Sequence, residues 1–125
     1  MGLDLTLLPL RDASSIGEKS VLCYDRLDFD RDYRIFNQIC PESGDTSVKR
    51  TVDPLPIPPQ MWVETYEGEG IRRTREDKYG TDLTFIYAQK LKKLKLTPDA
   101  TPKNKAIKAF VDALPDDIPI ILFWH

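Results

Sequence analysis

Eight basic side chains between Arg72 and Lys95 are the residues of this chain whose types and spacing best suit chemistry. Arg72, Arg73, Arg75 and Lys78 come first, Lys90, Lys92, Lys93 and Lys95 follow, and Tyr79, Phe85 and Tyr87 lie between. Cations interleaved with aromatic rings suit a phosphate backbone or an acidic protein surface. Arginine forks grip carboxylate or phosphate at two points, so the arginine triplet carries more of this expectation than the lysines. Lys92, Lys93 and Lys95 would lie on the wet side of a helix whose leucines face a core, an ordinary arrangement. The expected partner-binding residues are Arg72, Arg73, Arg75, Lys78, Lys92 and Lys93. The competing reading is a solvated surface, or internal pairing with acids of the N-terminal half.

Other clusters fit catalysis or metal binding less well. Asp28, Asp30 and Asp32 open a calcium-loop pattern, but its required Gly and Glu fall on Tyr33 and Ile39, among Arg26, Arg31 and Arg34. A helix N-terminus accounts for these acids, and no metal site is expected. The single histidine, His125, is the last residue, where nearby negative charge favours the protonated ring over a general base. Glu64, Glu67 and Glu69 could supply acid–base carboxylates, though a charged strand edge explains them. Gly68-Glu69-Gly70 lacks the lysine and third glycine of a phosphate cradle. Pro56-Ile57-Pro58-Pro59 has PxxP spacing but is better taken as a rigid connector, because Leu55 and Ile57 favour burial. No catalytic residue and no cofactor is expected.

The 125 residues, 41% hydrophobic and 30% charged, suit one domain over 1–125 with one core. The net charge of −2 conceals an asymmetry: residues 1–70 sum to −6 and residues 71–108 to +7. No apolar run approaches the roughly 20 residues of a membrane span, and the N-terminus lacks a signal-peptide pattern. A cytoplasmic location without membrane attachment is therefore expected. Met1-Gly2 with Thr6 meets the bare myristoylation pattern, but Leu3, Leu5 and Leu7 have a better use in a strand. Cys23 and Cys40 are expected to be reduced, buried small hydrophobes.

The elements that must position these residues follow from periodicity. Leu3, Leu5 and Leu7 alternate with Asp4 and Thr6, the pattern of a strand with one wet face, which Pro9 ends. Residues 20–24 form a second strand. Asp30 or Asp32 caps a short helix with Tyr33, Phe36, Ile39 and Cys40 on one face, and Pro41 closes it. Residues 41–51 form a polar loop, and the prolines from 54 to 59 are extended. Residues 61–66 and 71–74 form two strands joined through Gly68 and Gly70. Leu83, Ile86, Tyr87, Leu91 and Leu94 favour helix over 82–95, although Leu83, Phe85 and Tyr87 also alternate. Thr101 and Pro102 open a third helix with Ala106, Ile107, Phe110, Val111 and Leu114 buried. The final run from Ile118 to Trp124 is apolar on both faces, which predicts an interior strand. The fold class is α/β (α+β): a small mixed sheet containing the N- and C-terminal strands and also the second strand, about three helices packed on it, and a separate ribbon from the middle.

The opening Asp4-Leu5-Thr6-Leu7-Leu8-Pro9, the closing Phe123-Trp124-His125 and a Leu114-Pro115-Asp116-Asp117 turn resemble a group of small uncharacterised proteins from phages and prophage regions. A central Tyr79-Gly80 fits the same pattern. The resemblance covers the two ends, about a quarter of the chain. It implies origin and a one-domain architecture, and carries no catalytic residue with it. The expected function is that of a phage-derived accessory protein, non-enzymatic, binding another protein such as a host or defence component. The alternative is a nucleic-acid-binding domain using residues 72–95, and a small carboxylate enzyme comes third.

Overall fold

The computed structural model describes residues 3–39 and 52–125. In chain order the elements are β1 (Leu5–Pro9), β2 (Ser20–Cys23), β3 (Leu27–Asp28), α1 (Tyr33–Phe36), β4 (Leu55–Pro56), β5 (Trp62–Glu67), β6 (Gly70–Thr74), β7 (Thr84–Tyr87), α2 (Ala88–Leu91), α3 (Pro102–Ala113) and β8 (Pro119–Trp124). They make a mixed α/β structure with two sheets, and the first and last strands are neighbours in one of them. That five-stranded sheet has the order β3-β1-β8-β7-β4, every pairing antiparallel. The second has the order β2-β5-β6, with β2 parallel to β5 and β6 antiparallel to it. The second strand therefore does not join the first and last, as its sequence had suggested. Alternation identifies a strand but says nothing of which sheet it enters.

β8 is interior, as its two apolar faces require. Ile120 and Leu122 join Leu5, Leu7 and Ile86 in a core with Ile35, Phe36, Leu91, Ile107 and Val111 of the helical segments. Ile121 points the other way, with Leu8 and Phe85, toward Val21, Cys23, Met61 and Val63 of the second sheet. The result is three layers: helices, the five-stranded sheet, then the three-stranded sheet. Prolines sit where the ladder loses little: at the end of β1, the start of β8 and on the short edge strand β4.

Several local expectations hold for identifiable reasons. Asp32 caps α1 by accepting from the Arg34 amide at 3.0 Å. Thr101 caps α3, and Pro102 occupies its first turn. The hairpin from β5 to β6 turns through two residues, with Glu67 opposite Gly70 and Gly68 at φ 60°. Gly at the first central position suits a II′ turn, whose twist matches that of the strands.

Three expectations are corrected. Residues 82–95 are not one helix: Thr84–Tyr87 is strand β7, and only Ala88–Leu91 is helical. Pairing with β8 overrides the helical spacing, and the two elements abut without a glycine or proline to mark the boundary. On α3, Ala106 is exposed and Phe110 is 39% exposed, whereas Asn104 is fully buried. Asn104 earns that place by accepting from the Asp30 amide at 2.8 Å and donating to the Asp30 carbonyl at 3.0 Å. Thr6 lies on no wet face; it is fully buried beneath its polar neighbours. Cys40 and the 41–51 loop lie outside the described residues. Among the described residues, no helix is long and apolar enough to cross a membrane.

Candidate functional site

Strand alternation splits the arginine triplet. Arg72 lies opposite Thr65 on the face of the second sheet turned toward the first, and Arg73 lies opposite Glu64 on the outer face. The Arg73 guanidinium carbon sits 4.6 Å from the centroid of the Trp62 ring, a cation–π contact. Arg75 does neither. Its Nη1 donates to the carbonyl of Pro58 at 3.0 Å and to that of Met61, fixing the bend that leads into β5.

The outer face of the three-stranded sheet carries Leu22, Tyr24, Trp62, Tyr66, Ile71 and Arg73. Tyr24, Tyr66 and Ile71 are 62%, 54% and 53% exposed, and the two tyrosine rings lie 6.3 Å apart. Glu64, also on this face, accepts from the Ser20 hydroxyl. Beside Trp62 and Arg73, a depression of ≈ 290 Å³ is lined further by Thr74, Arg75, Glu76 and Asp82.

Arg72 belongs to a different place. With Arg26, Thr65, Glu67, Lys78 and Phe123 it lines a pocket of ≈ 150 Å³ where the two sheets meet. Its Nη1 is 3.6 Å from Glu67 Oε2, an ion pair longer than a hydrogen bond. Lys92 serves the fold: its ammonium donates to the Leu114 carbonyl and to Asp116 Oδ1, both at 2.7 Å, tying α2 to the end of α3. Lys93 is exposed. The six basic residues singled out in the sequence thus do not converge. Arg73 and Arg75 share one depression, Arg72 and Lys78 share one pocket, and Lys92 and Lys93 lie elsewhere.

A polar cluster that the sequence did not announce joins the chain's two ends. The Asp4 amide donates to the His125 carbonyl at 2.8 Å, and the His125 amide donates to the Asp4 carbonyl at 2.9 Å. Between them the Thr6 hydroxyl donates to Asp28 Oδ1, and His125 Nε2 lies 2.9 Å from the same hydroxyl oxygen. A hydroxyl has one proton to give, so with that proton on Asp28, Nε2 must be the donor to Thr6. Such an imidazole cannot take the Thr6 proton, and a buried Thr6 cannot meet a substrate. Burial lowers the His125 pKa below its ordinary value, against the pull of Asp4 and Asp28 and with the push of Arg26 and Lys78. The expectation that nearby negative charge would keep the ring protonated is reversed, because desolvation outweighs that charge. Only knowing that β1 pairs with β8 would have put Thr6 and His125 together.

The aspartates are employed individually. Burial would raise Asp28, but the Thr6 hydrogen bond and Arg26 outweigh it and lower its pKa. Asp30 accepts from the Thr101 hydroxyl at 2.7 Å, and Asp32 caps α1. The Asp4 carboxyl is lowered chiefly by its two-point pairing with Arg31, at 3.1 and 2.8 Å. Burial pushes the Cys23 thiol up to about 12, so it is an inert core residue at neutral pH. Comparison of the chain with protein-family models, curated proteins and solved structures finds no match.

Proposed function

We propose that this protein is a non-enzymatic accessory module that binds another protein through the outer face of its three-stranded sheet. The observation that carries the reading is the exposure of Arg73, Tyr66, Tyr24 and Ile71 on one face, around a half-buried Trp62. Trp, Tyr and Arg dominate the energetic centres of protein interfaces, and folding alone gives no reason to leave them together in water. The depression beside Trp62 offers a partner side chain a place to anchor. On the resemblance of its ends to phage and prophage proteins, the partner is a host or defence component met in the cytoplasm.

Single-stranded nucleic acid is the second reading, because exposed rings beside arginine also stack bases. The dispersal of Arg72, Lys78 and Lys92 away from that face counts against it, as do the commitment of Arg75 to backbone carbonyls and Glu64 on the face itself. The test compares tagged parent with a W62A/Y66A/R73E variant whose circular dichroism is unchanged. Proteins from the native host retained by the parent and lost by the variant support the proposal; equal retention by both ends it. A salt-dependent anisotropy change with random single-stranded DNA, abolished in the variant, transfers the assignment to nucleic acid.

A further inference from the structure

We propose that the pocket where the two sheets meet binds a single phosphate group. It shares no residue with the outer face and does not depend on it. Three cations from separate segments converge there: Arg26 from the β2–β3 connection, Arg72 from β6 and Lys78 from the β6–β7 connection. Glu67 is the one carboxylate of the lining, and Asp28, paired with Arg26 at 2.9 Å, lies just outside it, so the three cations exceed the nearby carboxylates by one charge. A phosphate presents three strong acceptor oxygens, enough to engage all three cations at once, whereas a carboxylate presents two.

The donors have spare capacity. Arg26 uses its Nε on Asp28, at 2.9 and 3.3 Å, and among the described residues its Nη groups make no hydrogen bond. Asp28 therefore aims the guanidinium and leaves its outer edge to a ligand. The Arg72 contact with Glu67, at 3.6 Å, is loose enough to yield to a dianion. Lys78 is fixed at its backbone, where its amide donates to the Trp124 carbonyl at 3.2 Å, and its ammonium makes no ion pair among the described residues. Phe123 supplies an apolar wall. At ≈ 150 Å³ the space lies below the roughly 300–1,000 Å³ of pockets that enclose whole cofactors, so it admits a phosphate with a short attachment rather than a nucleotide.

The test follows ³¹P line width while inorganic phosphate, and separately phenyl phosphate, is titrated against the full chain at constant ionic strength. The parent should broaden the phosphate line and melt several degrees higher in 20 mM phosphate than in chloride of equal ionic strength. An R72Q/K78Q variant should lose both effects, with affinity reduced at least tenfold, while R73Q on the outer face keeps them. Equal binding of the two probes assigns recognition to the phosphate alone, and tighter binding of phenyl phosphate adds a contact for the attached group. No broadening with the parent, or undiminished binding by a folded R72Q/K78Q protein, overturns the proposal.

Discussion

The two sheets of this protein are built from similar residue types and treat them oppositely. In the five-stranded sheet both faces of β8 are covered, and Ile120, Ile121 and Leu122 are completely buried. In the three-stranded sheet Val21, Cys23 and Val63 are buried on one face, while Tyr24, Tyr66 and Ile71 on the other stand more than half exposed. The first arrangement is fully accounted for by stability, since each large apolar side chain gains about 1.5–3 kcal/mol on burial. The second is not. Apolar and aromatic groups held at a surface contribute little to folding, and the proposed binding face rests on that contrast.

Removing residues 120–125 should break the comparison most severely. The five apolar side chains of that run contribute about 7–15 kcal/mol gross when mostly buried, against a typical whole-domain stability of about 5–15 kcal/mol. The truncated chain should show no cooperative melt by circular dichroism; a soluble product melting near the parent would make β8 peripheral. Next in size, Leu122→Ala should cost about 2–5 kcal/mol in urea unfolding, whereas Ile71→Ala on the open face should stay within about 0.5 kcal/mol. Equal losses would mean that the outer face is covered by something intramolecular.

The arginines sharpen the same contrast on a smaller scale. Arg75→Ala strands the Met61 carbonyl, the Pro58 carbonyl keeping its bond from the Met61 amide, and should cost about 1–3 kcal/mol, while Arg72→Ala and Arg73→Ala should each cost about 1 kcal/mol or less. Replacing all three by Glu therefore tests fold and binding at once, and the single variants separate them. The smallest effect is that of pH. Burial holds His125 below its ordinary 6.5, so the unfolded chain takes up a proton first. Its contribution is complete above about pH 6.5 and is lost as the pH falls through the lowered value. A second loss follows below the ordinary 3.8 of Asp4 and Asp28, both of which are lowered in the fold. His125→Asn should remove the upper step in a plot of Tm against pH and leave the lower one.

Much of the architecture was legible because it rests on local chemistry. The caps Asp32 and Thr101, the Gly68 turn and the doubly apolar β8 each declare themselves within a few residues. What failed depends on partners distant in sequence. Leu83, Ile86 and Leu91 keep helical spacing by the accident of a strand running straight into a helix. Phe110 looks like core on a helical wheel, yet the layer beneath α3 is filled by Ile107, Val111 and the buried Asn104. The candidate sites were legible only as a composition of basic and aromatic residues. Alternation along β6 divided Arg72 from Arg73, and Arg26, Phe123 and Trp62 came from strands and connections whose pairing no local pattern reveals.

The insertion of β8 between β1 and β7 has a consequence in time. Thr6 and His125 meet across 119 residues, so pairing β1 with β8 carries a larger loop-closure cost than pairing β7 with β8. Until β8 is in place, β1 and β7 present raw edges flanking a vacant slot, and Leu5, Leu7, Phe85 and Ile86 lack their cover. A nascent chain in that condition is sticky and resembles a template for strands of other molecules. Refolding should accordingly be slow for a chain of this length, on the order of milliseconds to seconds, and its yield should fall as protein concentration rises.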